Sequence, residues 1–363
     1  MANMFADIDL LVDRPAIEPA SSEALAWRSA ADALYVRWGD EVDHLDARRP
    51  ISVDDPSFTR VIETIEHLLM AIAAHPPALP CHGVAHTIRV LSNALRIVRR
   101  DRLDTADLLR LSLAAAAHDM GRLLLHLDTD DLRHADVSAV LLENVREQID
   151  LTDSMFIPVR HAVLMHSARR PDHRIAAHRV IDDVRSADKL DAIDEIGFIR
   201  AILYQGSNSL VAIDPVVGPR AVVLYGWWKN IIKEEPVTAS RSEKKIIDRA
   251  RERSRRLGNG ISAYRAPADS LPERFSEAVA LVEPDANRES IAATLDRLMA
   301  LPPNRRANWA GLLTTVVANV RRHEACRIDS LTAAANGRED IAPLARLLLA
   351  WSHRIAQAGN DLG

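Results

Sequence analysis

At 363 residues, with 48% hydrophobic and 27% charged side chains, the chain is long enough for two or three folded domains and too apolar for disorder to be the default. Its formal net charge of −5, with both signs intermixed, leaves no basic footprint for nucleic acid and no polybasic patch for a membrane surface. Two cysteines, Cys81 and Cys326, exclude a disulfide scaffold and any CxxC thiolate site, so a metal would have to rest on imidazole and carboxylate.

The first nine residues, from Met1 to Asp9, carry acids where a signal peptide carries Lys or Arg, and no 18-residue apolar run follows. A cytoplasmic protein without a membrane segment is the expectation. Ala, Leu, Arg and Glu dominate and apolar residues recur at three and four positions, which predicts an all-α fold. One helix carries Trp27, Ala31, Leu34, Tyr35 and Trp38 on a single stripe. Pro50 and Pro56 break the pattern, and a second helix runs through Val61, Ile65, Leu68, Leu69 and Ile72. The proline-rich stretch from His75 to Cys81 ends it, because proline removes a donor and clashes with a preceding turn.

A series of helices is expected after that break. The first carries Ile88, Leu91, Leu95 and Val98, and the second runs from near Asp104 to Ala117. The third holds Val137, Val140, Leu141 and Val145. A fourth starts beside Pro158, a good first-turn residue, and a fifth extends from about Arg174 past Asp188 to Leu203. Residues 206–226 read as a looser segment that would form a lid or a packed connection, ending in Tyr225-Gly226-Trp227-Trp228. A charged helix follows over about 240–257. Its basic residues are interleaved with Glu243, Asp248 and Glu252, so a solvated face explains it better than an RNA site. From about 268 onward, stripes such as Leu312, Val316 and Val320 predict a last helical region. The division is therefore an N-terminal helical region over 1–75, a core domain over 76–260 and a C-terminal helical region over 265–363. The apolar stripes of the terminal regions must pack on something, either the core or a second copy in a homodimer.

Nine of the 14 histidines fall between residues 82 and 178, where an even spread would place about four. Solvated loops account for His126, His173 and His178. The sharper alternative is a metal site, since imidazole and carboxylate are ordinary ligands of divalent cations. His118-Asp119 is the only His-Asp dipeptide, and it follows the apolar run Leu111 to Ala117, just before Gly121, where glycine can end a helix. A charge-bearing pair directly after that run is costly unless a cation compensates it. Adjacent helical residues point about 100° apart, so the pair serves either one ion as a fork or two ions with the carboxylate between them. Upstream, His82 and His86 stand near a helix start. Downstream, Asp188 lies on an apolar face between Val184 and Ala192, where an acid needs a partner.

The order His86, His118-Asp119, Asp188 resembles the HD superfamily of metal-dependent phosphohydrolases. The fuller wording spans His-Gly-x-x-His-x-x-Arg-Val at 82–90, Ala-x-His-Asp-x-Gly-Arg at 116–122, Asp-x-Leu-Asp-Ala-Ile at 188–193 and Gly-x-x-Arg at 197–200. It is similar to bacterial YedJ-like HD-domain hydrolases over about 78–258. The resemblance implies a helical core with His86, His118, Asp119 and Asp188 as ligands of one or two divalent ions (Mn, Co, Ni, Mg or Fe). In some members extra histidines bind a second ion, for which His134 and one of His161 or His166 are the candidates. Those two lie about 140° apart around a helix, and the apolar pattern before His166 favours it. The expected activity is hydrolysis of a phosphate ester by metal-activated water, with Asp119 and His82 as the catalytic candidates. The substrate would be a nucleotide or a related small phosphorylated metabolite, met by Arg122, Lys189 and Arg200. The Gly-Tyr-Pro motif of cyclic-dinucleotide enzymes and the Glu-Asp pair of alarmone hydrolases are absent. The alternatives are a diiron oxygenase on the same scaffold and a non-catalytic nucleotide-binding signalling module.

Overall fold

The computed structural model describes residues 21–43, 51–75, 81–125, 133–144, 146–149, 151–167, 179–192, 194–207, 248, 252 and 264–360. All regular elements among them are helical, so the chain is all-α. No helix among the described residues is long and apolar enough to cross a membrane. In chain order the helices are α1 (Ser22–Asp43), α2 (Pro56–Ala74), α3 (Val84–Asp101), α4 (Thr105–Ala117), α5 (His134–Asn144), α6 (Arg146–Ile149), α7 (Asp153–Met165), α8 (Arg179–Asp191), α9 (Asp194–Ser207), α10 (Leu271–Val282), α11 (Arg288–Met299), α12 (Pro303–Ala335) and α13 (Ala342–Asn360). Short 3₁₀ turns lie at Met120–Leu123 and Ala268–Ser270.

The chain forms two compact units, one of Met1–Asp188 with Thr332–Leu348, the other of Lys189–Leu331 with Leu349–Gly363. In the first, α4 is the central element. It contacts α2, α3 and α7, and α5 packs against α7, α1 and the 3₁₀ turn at Met120–Leu123. The composition of α4 explains its place: the run Leu111 to Ala117 is buried all round, and a helix apolar on every face belongs inside. Its start is fixed by Asp104, whose side chain accepts from the Asp107 amide at 2.8 Å. Asp55 caps α2 in the same way, accepting from Ser57 with Pro56 in the first turn. In the second unit, α9 packs on α10 and α11, and Phe198 stacks on the fully buried Trp309.

Three local expectations need correction. Pro158 does not start a helix; α7 begins at Asp153, and Pro158 lies inside it. The proline leaves the Ser154 carbonyl without its helical donor, and Arg110 of α4 supplies one instead, donating from Nε at 3.2 Å. Replacing Arg110 by Met is therefore expected to cost about 1–3 kcal/mol for the orphaned carbonyl. Adding Pro158→Ala in that background restores a backbone donor and should recover part of the loss. A denaturant double-mutant cycle measures this, and strict additivity would refute the coupling.

The single helix expected from Arg174 to Leu203 is two, α8 and α9, separated around Ala192. Gly197 permits the close return of the chain, since a Cβ there would lie 2.2 Å from the Ala192 carbonyl oxygen. Finally, Gly121 does not act as a left-handed helix terminator. It lies in the 3₁₀ turn, where its missing side chain lets α5 approach. The segment at 206–226 (beyond Ser207), the Trp227-Trp228 pair and most of the charged stretch at 240–257 lie outside the described residues.

Candidate metal centre

All seven side chains of the centre come from the first unit, and most stand at helix ends. His86 lies in the first turn of α3. His118 is the residue that closes α4, and Asp119 follows with φ −106° and ψ 10°, outside the helical region, before the 3₁₀ turn. His134 opens α5, His166 closes α7, and Asp188 lies within α8. His82 precedes α3 and follows Cys81, whose φ of 79° is left-handed. Helix ends suit this purpose, because a side chain there escapes the helix surface and several helices can direct one residue each to a point.

The Asp119 carboxylate is the hub. Its Oδ2 lies 2.8 Å from His82 Nδ1, 3.6 Å from His86 Nε2 and 3.5 Å from His118 Nε2. Its Oδ1 lies 3.1 Å from Arg122 Nε, 3.2 Å from His134 Nε2 and 3.6 Å from His166 Nε2. Asp188 Oδ1 joins the first group, at 3.5 Å from His86 Nε2 and 3.9 Å from His118 Nε2. The centre thus has two halves that share one carboxylate. The Nε2 atoms of His86 and His118 are 3.2 Å apart on the Oδ2 side, and those of His134 and His166 are 3.1 Å apart on the Oδ1 side.

Backbone carbonyls decide the tautomers. His118 Nδ1 lies 2.8 Å from the Ala115 carbonyl and His166 Nδ1 lies 2.7 Å from that of Val163. A carbonyl only accepts, so each Nδ1 carries the proton, and in the neutral ring each Nε2 presents a lone pair to the centre. Burial lowers the His118 pKa to about 4, against the opposing pull of Asp119, so the ring is neutral near pH 7. Its lone pair then faces the oxygens of both Asp119 and Asp188. Lone pairs converging on lone pairs repel unless a cation lies among them, and this donor set of imidazole nitrogen and carboxylate oxygen fits a divalent metal. Within the centre, the groups His82, His86, Asp119, then His86, His118, Asp188, and then His118, Asp119, His166 each have ligand atoms within 4.8 Å of one another. Burial would raise the Asp119 pKa, but Arg122, His118 and His82 outweigh it and hold the carboxyl well below its usual range.

The remaining sequence candidates fall elsewhere or carry other bonds. His161 does not join the centre; its Nε2 lies 3.1 Å from Glu41 of α1 and 3.1 Å from Arg160. Of the two alternatives it is His166 that the fold brings to Asp119. Arg122 is there as well, on the Oδ1 side, with Nη2 donating to His134 Nε2 at 3.3 Å. Lys189 follows Asp188 in the chain and is half-buried. Arg200 belongs to the second unit, buried, with ion pairs to Asp191 at 3.0 Å and Glu283 at 3.3 Å. The two motif segments Asp-x-Leu-Asp-Ala-Ile and Gly-x-x-Arg therefore meet in one ion pair. His126, His173 and His178 lie outside the described residues. Sequence reasoning missed the orienting carbonyls of Ala115 and Val163, which no residue type announces. Their signal was positional: the last carbonyls of a helix lack helical donors, and a histidine just past the end can supply one.

No family model matches the chain, and no curated protein matches it. Among solved structures, the crystal structure of Bacillus subtilis YpgQ in complex with ADP is similar at 17% identity with a TM-score of 0.39, over 54% of this chain and 90% of that one.

Proposed function

We propose that this chain is a metal-dependent phosphohydrolase of the HD-superfamily type, acting on a phosphate ester of a nucleotide or a related small metabolite. The observation that carries the reading is the neutral His118 Nε2 directed at two carboxylate oxygens, with His86 Nε2 beside it. His86, His118, Asp119 and Asp188 would hold the cation. A divalent ion in such a setting supplies Lewis acidity toward phosphoryl oxygen and lowers the pKa of water from about 16 toward 7.

The chain's own residues supply the rest. Asp188 and His82 are the most exposed members of the centre, with side chains 29% and 18% accessible, and both stand on the Oδ2 side. Substrate would reach the centre there, because His134 and His166 on the Oδ1 side are closed off at 8% and 2%. Asp119 orients His82 through Nδ1, so proton exchange at this side chain would run through Nε2.

After chelation and reloading with Mn²⁺, Co²⁺, Ni²⁺ or Mg²⁺, the protein is expected to hydrolyse an aryl phosphate or a member of a nucleotide panel. The chelated protein is expected to be inactive. Turnover indifferent to chelation, or none with any ion, would refute the reading; tight nucleotide binding without turnover would assign a non-catalytic role. The presence of His134 and His166 at Asp119 favours one further reading, a diiron oxygenase, which predicts two irons per chain and oxygen uptake.

A further inference from the structure

The Oδ1 half of the centre already contains a cation, and it belongs to the chain. Arg122 Nε lies 3.1 Å from Asp119 Oδ1, and Arg122 Nη2 donates to His134 Nε2 at 3.3 Å. A guanidinium has no acceptor and stays charged at any ordinary pH, so it serves both a carboxylate oxygen and an imidazole lone pair. Its side chain is only 10% accessible, and both of these partners are more buried still. The arrangement answers on the Oδ1 side the same electrostatic need that His118, His86 and Asp188 leave open on the Oδ2 side.

We infer that Arg122 occupies the Oδ1 half as a built-in positive charge that keeps a second divalent ion out, so the centre takes one ion although it gathers six candidate ligands, Asp119 and Asp188 with four histidines. This rests on the metal reading above and deepens it. Three features of the centre support it. Arg122 shares two of the three donors, Asp119 Oδ1 and His134 Nε2, that an ion beside His166 would need. A second divalent ion at this place would meet a like charge within a few ångströms in a nearly dry pocket, where screening is weak. The backbone that carries the guanidinium is also anchored, because Arg122 follows Gly121 in the 3₁₀ turn that packs on α5, with the Gly121 amide donating to Ser138 Oγ at 2.7 Å. Retreat of the Arg122 backbone from the centre would require that turn to rearrange.

The test is the number of ions bound, read with Mn²⁺ alone by equilibrium dialysis with elemental analysis, and by electron paramagnetic resonance. The wild-type chain is expected to bind one tight Mn²⁺ and to give an uncoupled signal. The Arg122→Gln variant should bind a second ion at least about tenfold more tightly than wild type does, with the broadened, weakened signal of a coupled pair; a change of that size corresponds to about 1.4 kcal/mol. Combining Arg122→Gln with His166→Ala should return the count to one. Replacing both His134 and His166 by alanine in the wild-type background should leave the single tight ion in place, which tests the inference even if Arg122→Gln fails to fold. Two ions of similar affinity in wild type, an unchanged count in a folded Arg122→Gln variant, or loss of the only ion from the double-alanine variant would each overturn the inference while leaving a metal site standing. No bound Mn²⁺ in wild type would instead overturn the metal reading itself.

Discussion

If the proposed metal-dependent phosphohydrolase reading holds, substituting Asp119 by asparagine is expected to abolish cation binding at the centre and lower turnover by on the order of 10³-fold, with the helical fold retained. The side chain keeps its shape and loses only its charge, which separates electrostatics from packing. Asp119 touches both halves, with three imidazoles within 3.6 Å of Oδ2 and two imidazoles and a guanidinium within 3.6 Å of Oδ1. Loss of an outer-shell partner typically weakens metal binding roughly 10–100-fold, and loss of a shared charged ligand should exceed that. Several kcal/mol of charge stabilisation go with the ion, at about 1.4 kcal/mol for each factor of ten in rate. Buried Arg122 also loses its anionic partner, so the variant should be less stable, by about 3 kcal/mol if the guanidinium cannot reach water. Metal content, turnover on the substrate identified by the panel, and circular dichroism check these outcomes together. A variant that keeps full metal content would refute the role of Asp119 as the hub.

Much of this centre was legible in the sequence, for a definite physical reason. An imidazole and a carboxylate placed directly after the apolar run Leu111 to Ala117 are expensive unless something compensates them, and so is an acid on an apolar face, so His118, Asp119 and Asp188 read as groups in need of partners. Helical periodicity likewise foretold α1 to α4, since Ala24, Trp27, Ala31 and Leu34 or Val61, Ile65, Leu68 and Ile72 can be buried together only on a helix. What escaped was the pairing of groups distant in the chain. Tyr35 reads as one more member of an apolar stripe, yet its hydroxyl accepts from Arg133 at 2.6 Å and donates to Asp136 at 3.3 Å, beside His134. Burial, reinforced by Asp136, pushes that hydroxyl up to about 12, so it remains protonated and fit to donate. His161 and His166 share a helix, and the spacing alone says only that they face different ways; that Glu41 of α1 takes His161 depends on a contact 120 residues away in sequence. The place of Pro158 inside α7 is hidden in the sequence for a related reason. Its cost inside a helix is intrinsic, but the donor that offsets it comes from Arg110 on a neighbouring helix.

Gly121 gives the second large expectation, because it shows how the centre's geometry depends on a residue with no chemistry of its own. A Cβ at position 121 would lie 2.2 Å from the His134 carbonyl oxygen and 2.9 Å from both the Ser138 amide nitrogen and Val137 Cβ. Those are mostly backbone atoms of α5, so no flexible side-chain tip can yield; either the helix moves or the 3₁₀ turn does. His134 opens α5, Asp119 directly precedes the turn and Arg122 lies within it, so either movement separates the Oδ1 contacts from one another. Gly121→Ala is therefore expected to destabilise the chain by about 1–3 kcal/mol, the usual range for overpacking a tight contact, or more if the turn cannot adjust. The Gly121 amide would also lose its bond to Ser138, which a companion Ser138→Ala variant measures separately, without the steric clash. If the clash is the cause, Gly121→Ala should lower the thermal midpoint well beyond Ser138→Ala. If the two variants behave alike, the glycine serves only as a hydrogen-bond donor there, and the close approach of α5 does not depend on its missing side chain.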